Sequence, residues 1–262
     1  MVTLMVARRV SAGRVAAVVD RNVGALRSGA SYWLVLVSGF FEPLLYLLSI
    51  GVGVGALVGD MDGVKYAVFV APAMLAASAM SGALAETTFN FFFKMRYAKT
   101  FEAILATPVR PIEVALGELT WAMIRSSFYT AAFLLVMVAM GLSEPLWALA
   151  AFPATMLVAV AFGAAGMAAS TFLRGWQDFD LISAAQFSLF LFSGTFSPVG
   201  DYPEVLQAVV VVTPLYHAVE LVRSLALGVP GWGSLGHAGY LVVLASVGLW
   251  VASRRVQRVL CS

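Results

Sequence analysis

Three ionisable side chains stand inside otherwise apolar runs of this 262-residue sequence: Glu42 in Phe40-Phe41-Glu42-Pro43, Glu86 in Ala85-Glu86-Thr87-Thr88, and Arg125. Charge within a bilayer is costly, so each demands a polar route through the protein, a subunit seam, or an opposite charge on a neighbouring helix. For Glu86 and Arg125 both kinds of reading stand, an ion pair between the two being the structural one. For Glu42 the structural reading is favoured, because Pro43 frees a carbonyl and disturbs the helix. The two histidines, His217 and His237, have no second histidine at helical spacing and no H-E-x-x-H around them, so a zinc centre is not expected. Ser81-Gly82 with His217 or His237 would be the material of a serine hydrolase, but serine in a membrane helix is usually a packing residue. No G-x-x-x-x-G-K-[ST] occurs, and Gly51-Val52-Gly53-Val54-Gly55 lies within an apolar run with no strand before it. That run reads as close helix packing and not as a phosphate cradle. The lone Cys261 excludes an intrachain disulfide and a cysteine-rich metal site. No catalytic residue, metal or cofactor of its own is expected in the chain.

Composition identifies the elements that would hold these groups. The chain is 61% hydrophobic and 11% charged, with formal net charge +2 and mean hydropathy +0.91. Soluble domains carry about 25% charged residues, so there is too little polar surface here for a soluble enzyme. Nor does the charge balance offer a basic surface for nucleic acid. A bilayer core needs about 20 mainly apolar residues per helix. Six stretches without Asp, Glu, Lys or Arg, apart from Glu42, meet or approach that: Ser28 to Gly59, Tyr66 to Ala85, Ser126 to Ser143, Pro145 to Leu173, Leu181 to Gly200 and Ser224 to Ser253. They are continuous and do not alternate, which predicts an all-α, six-span integral membrane protein and not a barrel. A further apolar stretch, Val205 to Val219, is too short to cross and is broken at Thr213-Pro214. It is expected to form two short helices in a re-entrant or interfacial hairpin, the alternative being a seventh span.

Thirteen Lys and Arg fall on one side of these spans and only Lys65 and Arg223 on the other, with Arg125 set aside as within a span. The bias places both termini in the cytoplasm. The first apolar run begins too far in, and is too long, for a cleavable signal. Before it, Val15, Val18, Val19, Val23 and Leu26 share one helical face and Arg14, Asp20, Arg21 and Arg27 the other, Asn22 being the one exception. This predicts a helix in the cytoplasmic headgroup region, or else a solvated helical extension. The organisation expected is therefore a cytoplasmic segment 1–28, a transmembrane domain 29–254 and a tail 255–262. In the loop after span two, Tyr97, Phe101, Ile104 and Leu105 share a face, with Lys99 and Glu102 elsewhere and Pro108 and Pro111 closing the segment. Such a short amphipathic helix could dock into a groove on a partner protein or lie back on the membrane.

These stretches carry a resemblance. "TFEAILATPVRPIEVALGE" within Glu86 to Glu118 resembles the permease subunits of type-2 ABC exporters. So do "EPLLYLLSIGVGVGALVGDMDGVKYAVFVAPAM" from Glu42, "SGTFSPV" from Ser193 and "TPLYHAVELVRSLALG" from Thr213. The nodulation-factor (lipo-chitooligosaccharide) exporter permeases are the most similar, with polysaccharide exporter and daunorubicin-resistance permeases more distant. The resemblance implies an N-terminal interface helix at about Val10 to Ser28, a coupling helix at about Tyr97 to Thr107, and short external helices at about Pro203 to Leu227. It also implies a permease dimer, with itself or a sister permease, bound to two copies of a separate ATP-binding subunit that carries the ATP and magnesium. Tyr97, Lys99, Thr100, Phe101, Glu102, Ile104 and Leu105 are then the expected contact with that subunit. The cargo would be an amphipathic glycolipid or lipo-oligosaccharide, or a hydrophobic drug, moved to the outside of a prokaryotic plasma membrane. The competing class is a membrane scaffold or intramembrane lipid-modifying enzyme, which would act without an ATPase partner.

Overall fold

The computed structural model describes residues 10–28, 44–61 and 63–261. Glu42 and most of the first half of the expected first span lie outside the described residues. Ten helices are described: α1 (Ala12–Ser28), α2 (Leu44–Val58), α3 (Tyr66–Arg96), α4 (Thr100–Leu105), α5 (Pro111–Ala139), α6 (Pro145–Ser170), α7 (Asp178–Leu191), α8 (Glu204–Val212), α9 (Pro214–Ala226) and α10 (Trp232–Cys261). The only strands among the described residues are Asp60–Met61 and Val64–Lys65, an antiparallel pair between α2 and α3.

Local sequence sets the helix starts. α5, α6 and α9 each begin with proline at the first helical position, after Arg110, Glu144 and Thr213 in extended conformation. Proline lacks the N–H that would be orphaned there, and its fixed φ suits the first turn. α5 adds a capping box, with the Glu113 carboxylate accepting from the Arg110 N–H at 2.9 Å. At Thr213-Pro214 the same chemistry separates α8 from α9, whose axes differ by 82°. α7 starts where the Asp178 carboxylate accepts the N–H groups of Arg174 and Gly175.

Two apolar clusters hold the bundle together. The larger joins α3, α5, α6, α9 and α10 around Leu75, Met80, Met137, Val158, Leu215 and Leu241. The second lies at the other ends of α3 and α5 and includes Phe91, Phe92, Phe101, Val114, Met167 and Val256. Small residues bring backbones close where van der Waals packing must replace a hydrophobic driving force. A Cβ on Gly248 of α10 would stand 2.8 Å from the backbone of Ala164 and Ala165 in α6.

Among the described residues, four helices, α3, α5, α6 and α10, are long and apolar enough to cross a membrane, or up to five if the bent α8–α9 pair counts as one span. The six uncharged runs therefore overstate what the described helices deliver singly. The expected fifth span, Leu181 to Gly200, yields only the 14-residue α7. Such a helix spans about 21 Å, short of a bilayer core. It stops at Phe192, and Gly194 follows at φ +70°. The expected sixth span begins at Trp232 and not at Ser224, because Ser224 to Ala226 complete α9 and Gly228 turns the chain at φ +73°. An uncharged run counts residues the membrane tolerates and does not see a break between two apolar helices.

Candidate transport groove and coupling segment

Midway along α3 the helix widens into π-helical turns at Ala85–Asn90. Such turns inside α-helices are frequent at functional sites. Here the Thr87 and Thr88 hydroxyls donate to the Ala83 and Leu84 carbonyls at 2.8 and 2.6 Å. Within the same segment the Glu86 carboxylate, 9% exposed, is ion-paired with Arg125 of α5 and accepts from Asn90 Nδ2 at 2.9 Å. Arg125 in turn donates to the Tyr129 hydroxyl at 2.8 Å. The structure thus joins two of the three intramembrane residues singled out from sequence.

This pair sits in the wall of a groove between α3, α5 and α7, of about 640 Å³. The groove merges with a second cavity of about 400 Å³ through Ser78, Ser81, Ser183 and Gln186, where Gln186 Nε2 donates to Ser81 Oγ at 2.9 Å. Phe89, Phe179, Phe187 and Phe190 supply its apolar lining. Gly82 lies in the same wall, and the buried, unpartnered Ser126 hydroxyl is 4.0 Å from where Gly82 would carry a Cβ. Hydroxyls, an amide and a neutralised ion pair therefore converge beside aromatic rings. The combination suits a ligand with a polar head and an apolar body. No cluster of three or more His, Cys, Asp or Glu among the described residues could hold a metal.

At its far end α3 passes into the segment expected from the sequence to be a coupling helix. Lys99, at φ +48°, turns the chain into α4. Phe101 is fully buried, its ring 4.9 Å from that of Phe91, and Ile104 and Leu105 pack on the same cluster. Tyr97 is half exposed and stacked on Trp176 at 5.0 Å. The apolar face of this helix is thus turned to the chain's own core. Lys99 and Glu102, paired at 3.8 Å, are the charged residues it leaves exposed, beside Ala103, and Thr100 accepts from Arg21 of α1. An amphipathic pattern gives the face that is buried and does not say by what.

α1 docks on α5 through two buried carboxylates. Glu118 accepts from Asn22 Nδ2 at 3.0 Å and from Lys94 Nζ at 2.6 Å, and Lys94 also donates to Asn22 Oδ1. Glu113 takes the Ser11 N–H, Arg14 and Arg110 at 2.9, 3.2 and 3.0 Å. Gly117, between them, lets Val18 in: a Cβ there would lie 2.6 Å from that of Val18. Asn22, the one polar residue on the apolar face of α1, is therefore the side chain that meets Glu118. Sequence reasoning missed these sockets, although the misplaced asparagine was the available signal. A cleft of about 460 Å³ remains between α1 and α4, lined by Val18, Arg21, Lys99, Thr100 and Ile104 among others.

A bundle of membrane-length helices with a groove beside an intramembrane ion pair fits a transport protein of the membrane. The chain belongs to the ABC-2 type transporter family, whose model matches residues 17–227. It is 32% identical over 224 residues to nodulation protein J of Rhizobium leguminosarum bv. trifolii, covering 85% of this chain and 86% of that one. The similarity to nodulation protein J of Sinorhizobium fredii (strain NBRC 101917 / NGR234) is 32% over 228 residues, 87% of each chain. The inner membrane transport permease YadH of Escherichia coli (strain K12) is 25% identical over 214 residues, 80% of this chain and 72% of YadH.

Proposed function

We propose that this chain is the transmembrane subunit of an ATP-driven exporter whose ATP and magnesium are bound by a separate subunit present in two copies. A second permease, identical or a sister chain, completes the pathway. In this reading both termini are cytoplasmic and there are six spans. α7 with the residues to Gly200 forms the fifth, and α8–α9 form an external hairpin. The cargo is an amphipathic glycolipid or lipo-oligosaccharide, or a hydrophobic drug, leaving the cytoplasm or the inner leaflet.

One observation carries the reading. The exposed Lys99–Glu102 surface is anchored through Phe101 to Phe91, on the same helix whose π-helical turns place Glu86 in the groove. A push on α4 is thereby transmitted along α3 to the groove wall by a packed and continuous path. ATP binding would close the partner subunits, and α4 would pass that motion to the spans lining the seam. The test is ATPase activity of the reconstituted complex with Lys99→Glu and Glu102→Lys, singly and together. Loss in the single variants, with the permease still inserted, supports coupling through this face. Normal stimulation in both single variants refutes it.

A further inference from the structure

α9 and the first turns of α10 run antiparallel and are joined by three polar contacts. At one end Ser224 Oγ and Ser234 Oγ are 2.8 Å apart, and at the other the Tyr240 hydroxyl donates to the Val212 carbonyl at 2.9 Å. Between them the Nδ1 atoms of His217 and His237 face each other at 2.8 Å. The His217 ring is stacked on Tyr240 at 4.0 Å, and Tyr216 is edge-on to both imidazoles. They are the only two histidines in the sequence.

Two imidazole nitrogens at this distance need one hydrogen between them, one ring donating and the other presenting a lone pair. Two neutral rings satisfy that. A neutral ring and an imidazolium satisfy it better, because the charge strengthens the bond. Two imidazolium rings cannot, since both Nδ1 atoms then carry hydrogens and two positive charges face each other with ring centres 5.0 Å apart. We propose that His217 and His237 form a proton-operated latch, which clamps the α8–α9 pair to α10 until the pair takes its second proton and then releases it. The proposal goes beyond the exporter reading and stands without it.

Among the described residues, no acidic group is placed to neutralise that second charge. α3 and α6, which pack on α9, bring only Tyr66 and no ionisable side chain respectively in the stretches 66–84 and 145–170. Glu204 is exposed at the far end of α8. Asp178 and Asp180 are in the first turn of α7, whereas Arg223 of α9 reaches the Gly194 carbonyl beyond its last turn. On α9 itself Glu220 is held by Arg223, and on α10 Tyr240 is the facing titratable group while the arginines begin at Arg254. Two unit charges at this separation and an effective dielectric constant of about 20 would set the two proton-binding steps about two pH units apart.

The experiment uses the full chain in detergent or nanodiscs, purified on a histidine-free tag and labelled with ¹⁵N-histidine, so that only these two rings report. The latch predicts two separated titration steps in the native chain. It predicts a single titration step for the remaining ring in His217→Gln or His237→Gln. Amide exchange over residues 204–226, corrected for intrinsic rates, should rise about a hundredfold across the second step. The His237→Gln amide can donate to a neutral His217 or accept from a protonated one, so it should hold the contact and remove that pH dependence. One shared step for both native rings, or a rise in exchange that survives in His237→Gln, overturns the latch.

Discussion

Replacing Arg125 by methionine leaves the Glu86 carboxylate, 9% exposed, with Asn90 Nδ2 as its remaining hydrogen-bond donor. Removing one partner of a buried ion pair costs about 3–5 kcal/mol, because the other charge stays buried without compensation. Replacing both partners by neutral groups of similar size is close to neutral, since the desolvation of both charges disappears together. The cycle of Arg125→Met, Glu86→Gln and the double variant therefore predicts a coupling energy of at least about 2 kcal/mol. For a domain of this size each kcal/mol moves the midpoint by about 2–4 °C. The single variants should then melt about 6–20 °C below the native chain, with the double variant recovering most of the loss. Thermal unfolding of the purified permease, followed by size-exclusion recovery after heating, reads all four corners. Additive single effects, with coupling below about 0.5 kcal/mol, would refute the view that the two side chains stabilise each other across α3 and α5.

Five further substitutions separate packing from partner contacts. Phe101→Ala should destabilise the chain by about 3–5 kcal/mol as a buried aromatic. Lys99→Ala and Glu102→Ala, both exposed, should stay within about 0.5 kcal/mol in the same melting assay. Gly117→Ala places a Cβ 2.6 Å from that of Val18, so α1 should lift from α5. The expected loss is about 1–3 kcal/mol, and limited proteolysis within residues 12–28 should speed up. Gly248→Ala meets backbone at 2.8 Å in α6 and should force α10 outward, lowering the melting midpoint.

Much of this was legible in residue order, and the exceptions have physical reasons. The membrane class followed from 11% charge, and the break at Thr213-Pro214 from proline chemistry. The Glu86–Arg125 contact was readable as one of two options because a lone buried charge looks for an opposite one. Helix ends within uncharged runs were not readable, since Ser224 to Ser253 carries no mark in its charge pattern of the turn at Gly228. The groove was hidden because its walls come from α3, α5 and α7, and no local spacing encodes that convergence. Likewise His217 and His237, 20 residues apart, meet only because α9 folds back along α10. Phe101 shows the limit of an amphipathic pattern, which fits a partner's groove and the chain's own core equally well.

The central claim is that this permease works with an ATP-binding partner through the α4 surface. Tagged chain should be isolated in gentle detergent from its native membranes, crosslinked and uncrosslinked, and whatever accompanies it identified by mass spectrometry. A protein with a P-loop should accompany it at one copy per permease, crosslink to Lys99, and be lost when Lys99 and Glu102 are reversed in charge. A permease that comes out alone, even after crosslinking, would contradict the account.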